Sequence, residues 1–428
     1  MCFSLTTSPI ADWTIFFGLF WALLLLVSCL LVPPLLAKRW SRINRAALLL
    51  LVGVTALGAR LVPNLVLPVG AGYDIESYQI VGGLFLQGQD VYTSPEAMNR
   101  HPYLPFQMYW MALSLLFSRT FNLPFVKIVR LLPILADTLI ALLLTTYRYP
   151  DSPEDALRRG FTYALNPVTV FVSAYHGQFD ALPALFLALA ICSLERSPII
   201  AGIWLGMGIL DKSWPVLAFP TFLKDIRLWK KRFAFCIAVW LIPVIGVGLY
   251  AKISKAPVLP ILGRALSYNW GVGVWGYTYF FYLVSTVWPI WTAPFQWLVR
   301  DGRYLTLAAL GVIWVWRARR ESPAAGLLTT LVGFFAVTHA FSIQYPMWVI
   351  PFALIGGAPS DTLWLRRYTL AIFCYMALTY SVFILTPAIT HWMPWNQADT
   401  FIIRPIGLPA WGICVAWLVQ RLKREPPG

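Results

Sequence analysis

The stretch WTIFFGLFWALLLLVSCLLVPPLLAKRWSRINR, residues 13–45, decides the fold. An apolar run from Trp13 to about Ala37 stops at Lys38, Arg39, Arg42 and Arg45, and a second run, about Ala46 to Leu67, begins at once. Runs of this length cross hydrocarbon as helices, because a helix rises only about 1.5 Å per residue. Basic residues mark the cytoplasmic flank of a span. This reading places the N-terminus outside, the Lys38–Arg45 loop in the cytoplasm and the end of the second span outside.

The alternation continues along all 428 residues, of which 59% are hydrophobic and only 12% charged. An ordinary soluble domain carries about 25% charged residues. The mean hydropathy is +0.68. A secretory leader, a single anchor and a large aqueous domain are thereby excluded, since the longest stretch without a convincing span runs only from about Pro68 to Pro102. The net charge of +15 does not indicate nucleic acid. Its arginines and lysines cluster at the loops that alternate spans assign to one side, such as Arg158–Arg159, Lys224 to Arg232, Arg317–Arg320 and Arg366–Arg367. The six cysteines show no CxxC or paired spacing, so neither a disulfide nor a metal cluster is expected.

The expected fold is all-α, a polytopic integral membrane protein of about 11–12 spans with re-entrant and interfacial helices. It is read as a single domain, 1–428, with an extra N-terminal span and loop (1–45), a core (46–360) whose first outer loop is 68–122, and C-terminal spans (361–428). Tyr103–Phe117 reads as an interfacial or re-entrant helix. Ile199–Phe222 is broken by Asp211-Lys-Ser-Trp-Pro215 between flanks that both look cytoplasmic, which predicts a re-entrant pair lining a cavity. Residues 281–303 are read either as interfacial or as crossing twice. The C-terminus is expected inside. The absence of a retention signal at Arg424–Gly428 points to a bacterial plasma membrane.

With loops assigned from Lys and Arg alone, all four histidines (His101, His176, His339, His391) and the acids Asp74, Glu76 and Asp180 fall on the outer side. Asp74 and Glu76 follow the second span, flanked by Tyr73 and Tyr78. They are read either as a general base toward a hydroxyl or as acids in the first turn of a helix. Asn166-Pro167 interrupts the fourth span, and His176-Gly-Gln178-Phe-Asp180 joins two spans with almost no loop. Such a dense polar group at membrane depth reads as a site or as a capped tight turn. Lys212 reads as a point charge for a lipid phosphate or as the partner of Asp211 or another carboxylate. Arg264 and Lys255 are further candidates for the same anion. Asp137, seven residues after Arg130, is expected to pair with it. Gln344 and Tyr345 open a span. There is no P-loop, GxGxxG, HExxH or nucleophile elbow, which argues against a nucleotide-driven pump.

Together these segments resemble the C-fold glycosyltransferase superfamily, and most of all its polyprenol-phosphate-mannose-dependent mannosyltransferases. The matching elements are Asp74-Ile-Glu76, Gly88-x-x-x-Tyr92, Asn166-Pro167, Lys212-x-x-Pro215, Gly276-Tyr-x-Tyr-Phe280 and Gln344-Tyr345-x-x-Trp348, in the family's order over about residues 46–360. The chain departs from the family in its extra first span and in a D-x-E where relatives often carry D-x-D. The resemblance implies that Asp74 deprotonates an acceptor hydroxyl, which attacks and inverts the anomeric carbon of a polyprenyl-phosphate sugar. It further implies that Lys212, with Arg264, holds the leaving phosphate, and that Glu76, Tyr78, His176, Gln178, Asp180, Gln344 and Tyr345 shape the sugar or acceptor pocket. The acceptor would be a lipid or glycan, with no metal or other cofactor required. The competing reading from the residues alone is a transporter or lipid flippase, which also uses broken helices and intramembrane charges.

Overall fold

The computed structural model describes residues 12–39, 44–67, 72–147, 153–267, 273–384 and 392–424. Among the described residues the protein is all-α apart from one two-stranded ladder. Among the described residues, five helical stretches are long and apolar enough to cross a membrane: Phe16–Ala37, Arg45–Val66, Phe125–Thr146, Trp229–Ile253 and Trp395–Lys423. Five more apolar helices, Ala181–Leu194, Pro198–Asp211, Val258–Ser267, Pro323–Val337 and Tyr345–Gly356, are shorter. Fewer long helices result than the hydropathy runs suggest, because proline and polar residues divide several runs. His391 lies outside the described residues.

The chain packs as two compact units, Met1–Tyr268 and Asn269–Gly428. In the first, α1 (Asp12–Arg39), α2 (Arg45–Val66), α3 (Gly72–Leu86), α4 (Gln107–Phe121), α5 (Phe125–Val129), α6 (Leu131–Thr146) and α7 (Pro153–Ala164) precede the break at Asn166. Then follow α8 (Pro167–Val170), a π-helical turn over Phe171–His176, α9 (Ala181–Leu194), α10 (Pro198–Asp211), α11 (Phe219–Asp225), α12 (Trp229–Ile253) and α13 (Val258–Ser267). The N-terminal α1 lies on α7, α2 lies on α6 and α7, and α10 is held between α9 and α12. Gly206 makes the last contact possible: a Cβ there would stand 2.6 Å from the Val239 carbonyl oxygen of α12. Small residues let membrane-type helices approach backbone to backbone. Gly206→Val is therefore expected to cost about 1–3 kcal/mol by overpacking, seen as a lower temperature of aggregation for the purified protein. An unchanged transition would show that α10 and α12 yield without cost.

One buried polar cluster organises the middle of this unit. Arg60 Nε donates to Asp137 Oδ2 at 2.9 Å, and both side chains are fully buried. Its other nitrogens reach the Ala164 carbonyl (2.9 Å) and Thr169 Oγ1 (2.8 Å), while Tyr163 donates to Asp137 at 2.6 Å. The expected Arg130–Asp137 pair is thus replaced by Arg60–Asp137. The reason is local: Arg130 sits at the joint between α5 and α6, where the helical register that would set residues 130 and 137 on one face is interrupted. Arg60 also satisfies a carbonyl at the end of α7 where Pro167 breaks the ladder, and Asn166 Oδ1 accepts from Val168 N at 3.0 Å.

Arg159 donates to carbonyls at the end of α6, and Arg196, Lys230 and Lys231 line one depression where α9, α10 and α12 meet. The opposite ends of α9 and α10 carry Asp180 and Lys212, which pair with each other. The segment 199–222 is helix, break and helix as expected, and its tip reaches the Asp180 end.

The second unit contains α14 (Tyr277–Val287), α15 (Thr292–Trp316), α16 (Pro323–Val337), α17 (Val349–Gly356), α18 (Asp361–Ile384), α19 (Trp395–Ala398) and α20 (Leu408–Lys423). Residues 281–303 resolve into the end of α14, a short 3-10 turn and the start of α15. Strand Gly273–Val274 pairs antiparallel with Ala340–Phe341, and Trp275 stacks on Phe341 at 3.8 Å. A buried ionic network closes one end: Asp361 accepts from Trp417, Arg421 and Arg424 at 2.8 Å each, and Glu321 accepts from Arg317 at 2.9 Å and Arg421 at 3.2 Å.

Candidate functional site

The dense polar group read from the sequence comes together at the Asp180 end of the first unit. It is built by two breaks in the helical ladder. After α8 the backbone widens into the π turn 171–176, and Gly177, at φ +85°, then turns the chain so that its own N–H and that of Gln178 both reach the Val172 carbonyl, each at 3.0 Å. Glycine adopts this left-handed geometry without strain. A Cβ at Gly177 would also stand 3.2 Å from Ile75 of α3 and 3.3 Å from Arg130, so the turn is the point where α3 docks. Ile75 in that contact sets its neighbour Asp74 beside His176.

Asp74 Oδ2 lies 3.2 Å from His176 Nε2. The Asp74 side chain keeps 29% of its surface exposed while that of His176 keeps 8%, so the carboxylate is the open member of the pair. Burial alone would raise the Asp74 pKa. The adjacent His176, with Gln178 and the Lys212 ammonium, outweighs burial and holds the carboxyl below its ordinary value of 3.8. Asp74 is therefore an ionised acceptor at neutral pH.

Behind it, Lys212 Nζ donates to Asp180 Oδ2 at 2.7 Å and to Gln178 Oε1 at 3.4 Å. Both charges are nearly inaccessible, at 3% and 0% side-chain exposure. The Asp180 partner decides between the two carboxylates open to Lys212, although Asp211 is its neighbour in sequence. The Lys212 ammonium also lies 5.0 Å from the centre of the Tyr103 ring, a cation–π arrangement. Tyr78, one turn after Asp74, packs its ring against Phe179 at 4.9 Å. Burial, then the carboxylates of Asp74, Asp180 and Asp211, push its phenol well above 10.0, which keeps it protonated.

Glu76 lies elsewhere. Two residues on from Asp74 in a helix is a rotation of about 200°, and the half-exposed Glu76 carboxylate pairs with Arg100 at 3.2 Å while the Arg100 guanidinium lies over the Tyr73 ring. The D-x-E therefore does not present two carboxylates to one point. Arg264 is on α13, where it donates to the Ala97 carbonyl at 2.7 Å, supporting the loop after α3 instead of joining Lys212. In the second unit, Gln344 is buried and its Oε1 accepts from Ser342 at 2.7 Å, and Tyr345 stacks on Trp348 at 4.4 Å. Among the described residues, no three His, Cys, Asp or Glu side chains are grouped for a metal ion.

The structure adds members that the sequence did not signal. Tyr103 is held by its own carbonyl, which accepts from Tyr92 OH at 2.8 Å, and by the edge of His101 at 5.7 Å. His101 is fully enclosed, and burial lowers it from 6.5 to about 4, so it packs as a neutral ring. Arg130 donates to the Tyr175 carbonyl and underlies the Gly177 turn. No protein-family model matches the chain, and neither a curated protein nor a solved structure matches it significantly.

Proposed function

We propose that the protein is a polytopic membrane glycosyltransferase that moves a hexose, mannose by resemblance, from a polyprenyl-phosphate sugar to a lipid or glycan acceptor outside the cytoplasm. The reading rests on one observation above the others. A partly exposed, ionised Asp74 faced by His176 sits in front of a buried Lys212–Asp180 pair, at the end of the helices opposite to Arg159, Arg196, Lys230 and Lys231. In this reading Arg159, Arg196, Lys230 and Lys231 mark the cytoplasmic side, and the Asp74 end, although it also carries Lys252 and Lys255, is the extracytoplasmic one.

In this reading the acceptor O–H gives its proton to Asp74 as its oxygen bonds to the anomeric carbon from the face opposite the phosphate. The anomeric C–O bond to phosphate breaks with inversion, and the electron pair leaves on the lipid phosphate. Lys212 has three N–H donors, of which Asp180 and Gln178 occupy two; the ammonium lies under the Tyr103 ring, which a phosphate oxygen would displace to reach the third. Gln178 and Tyr78 supply neutral hydrogen-bonding groups for sugar hydroxyls. Glu76, paired with Arg100, lies outside the reacting group, and Arg264 serves by holding the loop.

The direct test reconstitutes the purified protein in liposomes with radiolabelled polyprenyl-phosphate mannose and a crude pool of lipid and glycan acceptors. Label appearing in a new glycosidic product supports the transferase. Label that changes leaflet while the donor stays intact establishes a flippase and removes Asp74 from its role.

A further inference from the structure

We propose that α13 is an interfacial helix that lies on the bilayer surface at the Asp180 end of the first unit, its leucine face in the lipid and two lysines against anionic headgroups. The proposal rests on the membrane reading above and is independent of any transferase activity.

Helix α12 is one of the five stretches able to span a bilayer, and it stops abruptly. Lys255 adopts φ +50°, and Ala256 N reaches back to the Ala251 carbonyl at 3.0 Å, the reverse turn of a helix C-terminus. Pro257 then prevents continuation. The chain restarts as α13 with two opposed faces. Ile261 is fully buried, and Arg264, one turn on, is tied to the Ala97 carbonyl. On the other side Leu259, Leu262 and Leu266 follow at spacings that keep them on one stripe, with Leu259 81% and Leu266 77% exposed. Leucines so placed are destabilised in water and stabilised at an acyl boundary. Lys252 and Lys255, both exposed, stand where the span ends. There an ammonium reaches lipid phosphates while its stem stays in the apolar layer. A soluble protein partner would account for the leucines but not for their following a spanning-length helix through a lysine-bearing turn.

The connection to Ala97 gives this helix a mechanical role. Ala97 precedes Tyr103 on the same loop, and Tyr103 covers Lys212. The depth of α13 in the lipid thus fixes the loop that closes over the buried pair.

The test places a nitroxide on single cysteines, Leu259→Cys, Leu266→Cys, the span control Ile245→Cys and the loop control Glu96→Cys, in a chain whose native cysteines are replaced. The protein is studied in nanodiscs of phosphatidylcholine and of phosphatidylglycerol. The labels at 259 and 266 are expected to be reached by oxygen and shielded from a water-soluble nickel chelate, to a lesser depth than the label at 245, while the label at 96 meets the chelate. Phosphatidylglycerol is expected to deepen the two α13 labels, and Lys252→Gln with Lys255→Gln to abolish that shift. Free access of the chelate to 259 and 266 while 245 stays shielded overturns the proposal alone. So does shielding of both from oxygen and chelate together, which would mark a protein contact. A label at 245 that meets the chelate overturns the membrane reading itself.

Discussion

Asp74→Asn is expected to lower hexose transfer by roughly 10²–10⁴-fold, the usual loss when a general base is removed, with binding of the lipid-phosphate donor retained. The asparagine keeps the shape of the side chain beside His176 but cannot take the acceptor proton. The pH profile supplies a second readout. Because the Asp74 carboxyl is held below 3.8, the ionised form that the proposed mechanism requires persists as pH falls through the ordinary carboxylate range and is lost only as pH drops through the lowered value. Replacing His176 with Gln removes the largest influence holding the carboxyl down, so the acid limb is expected to move to higher pH. A residual Asp74→Asn activity within a few-fold of wild type, or an acid limb unmoved by His176→Gln, would remove Asp74 from the chemistry.

The largest expected loss of stability comes from Arg60→Ala. Its guanidinium serves Asp137, Thr169 and the Ala164 carbonyl at once, all inside the first unit. Taking it away leaves Asp137 with Tyr163 alone and an unsatisfied carbonyl at the Asn166-Pro167 break, a cost of about 3–5 kcal/mol for breaking a buried pair. Asp137→Leu together with Arg60→Met is expected to recover most of that, since the charge to be compensated is gone. Thermal transitions in detergent measure both. Equal stability of Arg60→Ala and wild type would mean that the cluster is hydrated and carries no weight in the fold.

Much of this architecture was legible from residue order. Long apolar runs cannot leave their backbone unsatisfied, so they read as helices, and Asn166-Pro167 and Asp211–Pro215 read as breaks because proline and buried charge interrupt a ladder. The joining of His176, Gln178 and Asp180 followed from a turn too short to separate them. What remained hidden depends on contacts between distant segments. Nothing near Tyr103 in sequence signals that it covers Lys212, and nothing in Lys212 selects Asp180 over Asp211. The partner of Asp137 was misread because spacing along an unbroken helix was assumed through Arg130. Arg60 offered a usable signal, since an arginine in the middle of an apolar run demands a buried acceptor.

The hairpin of α9 and α10 bears on how such a chain is made. Asp180 and Lys212 are 32 residues apart yet meet at the open end, while the turn at Glu195–Ser197 stays with the basic end. During synthesis two ions crossing hydrocarbon separately would each meet a desolvation barrier. On the proposed topology the paired ions cross as a neutral dipole, which favours integration of the two helices together, and removing either charge would burden biogenesis before it burdened activity.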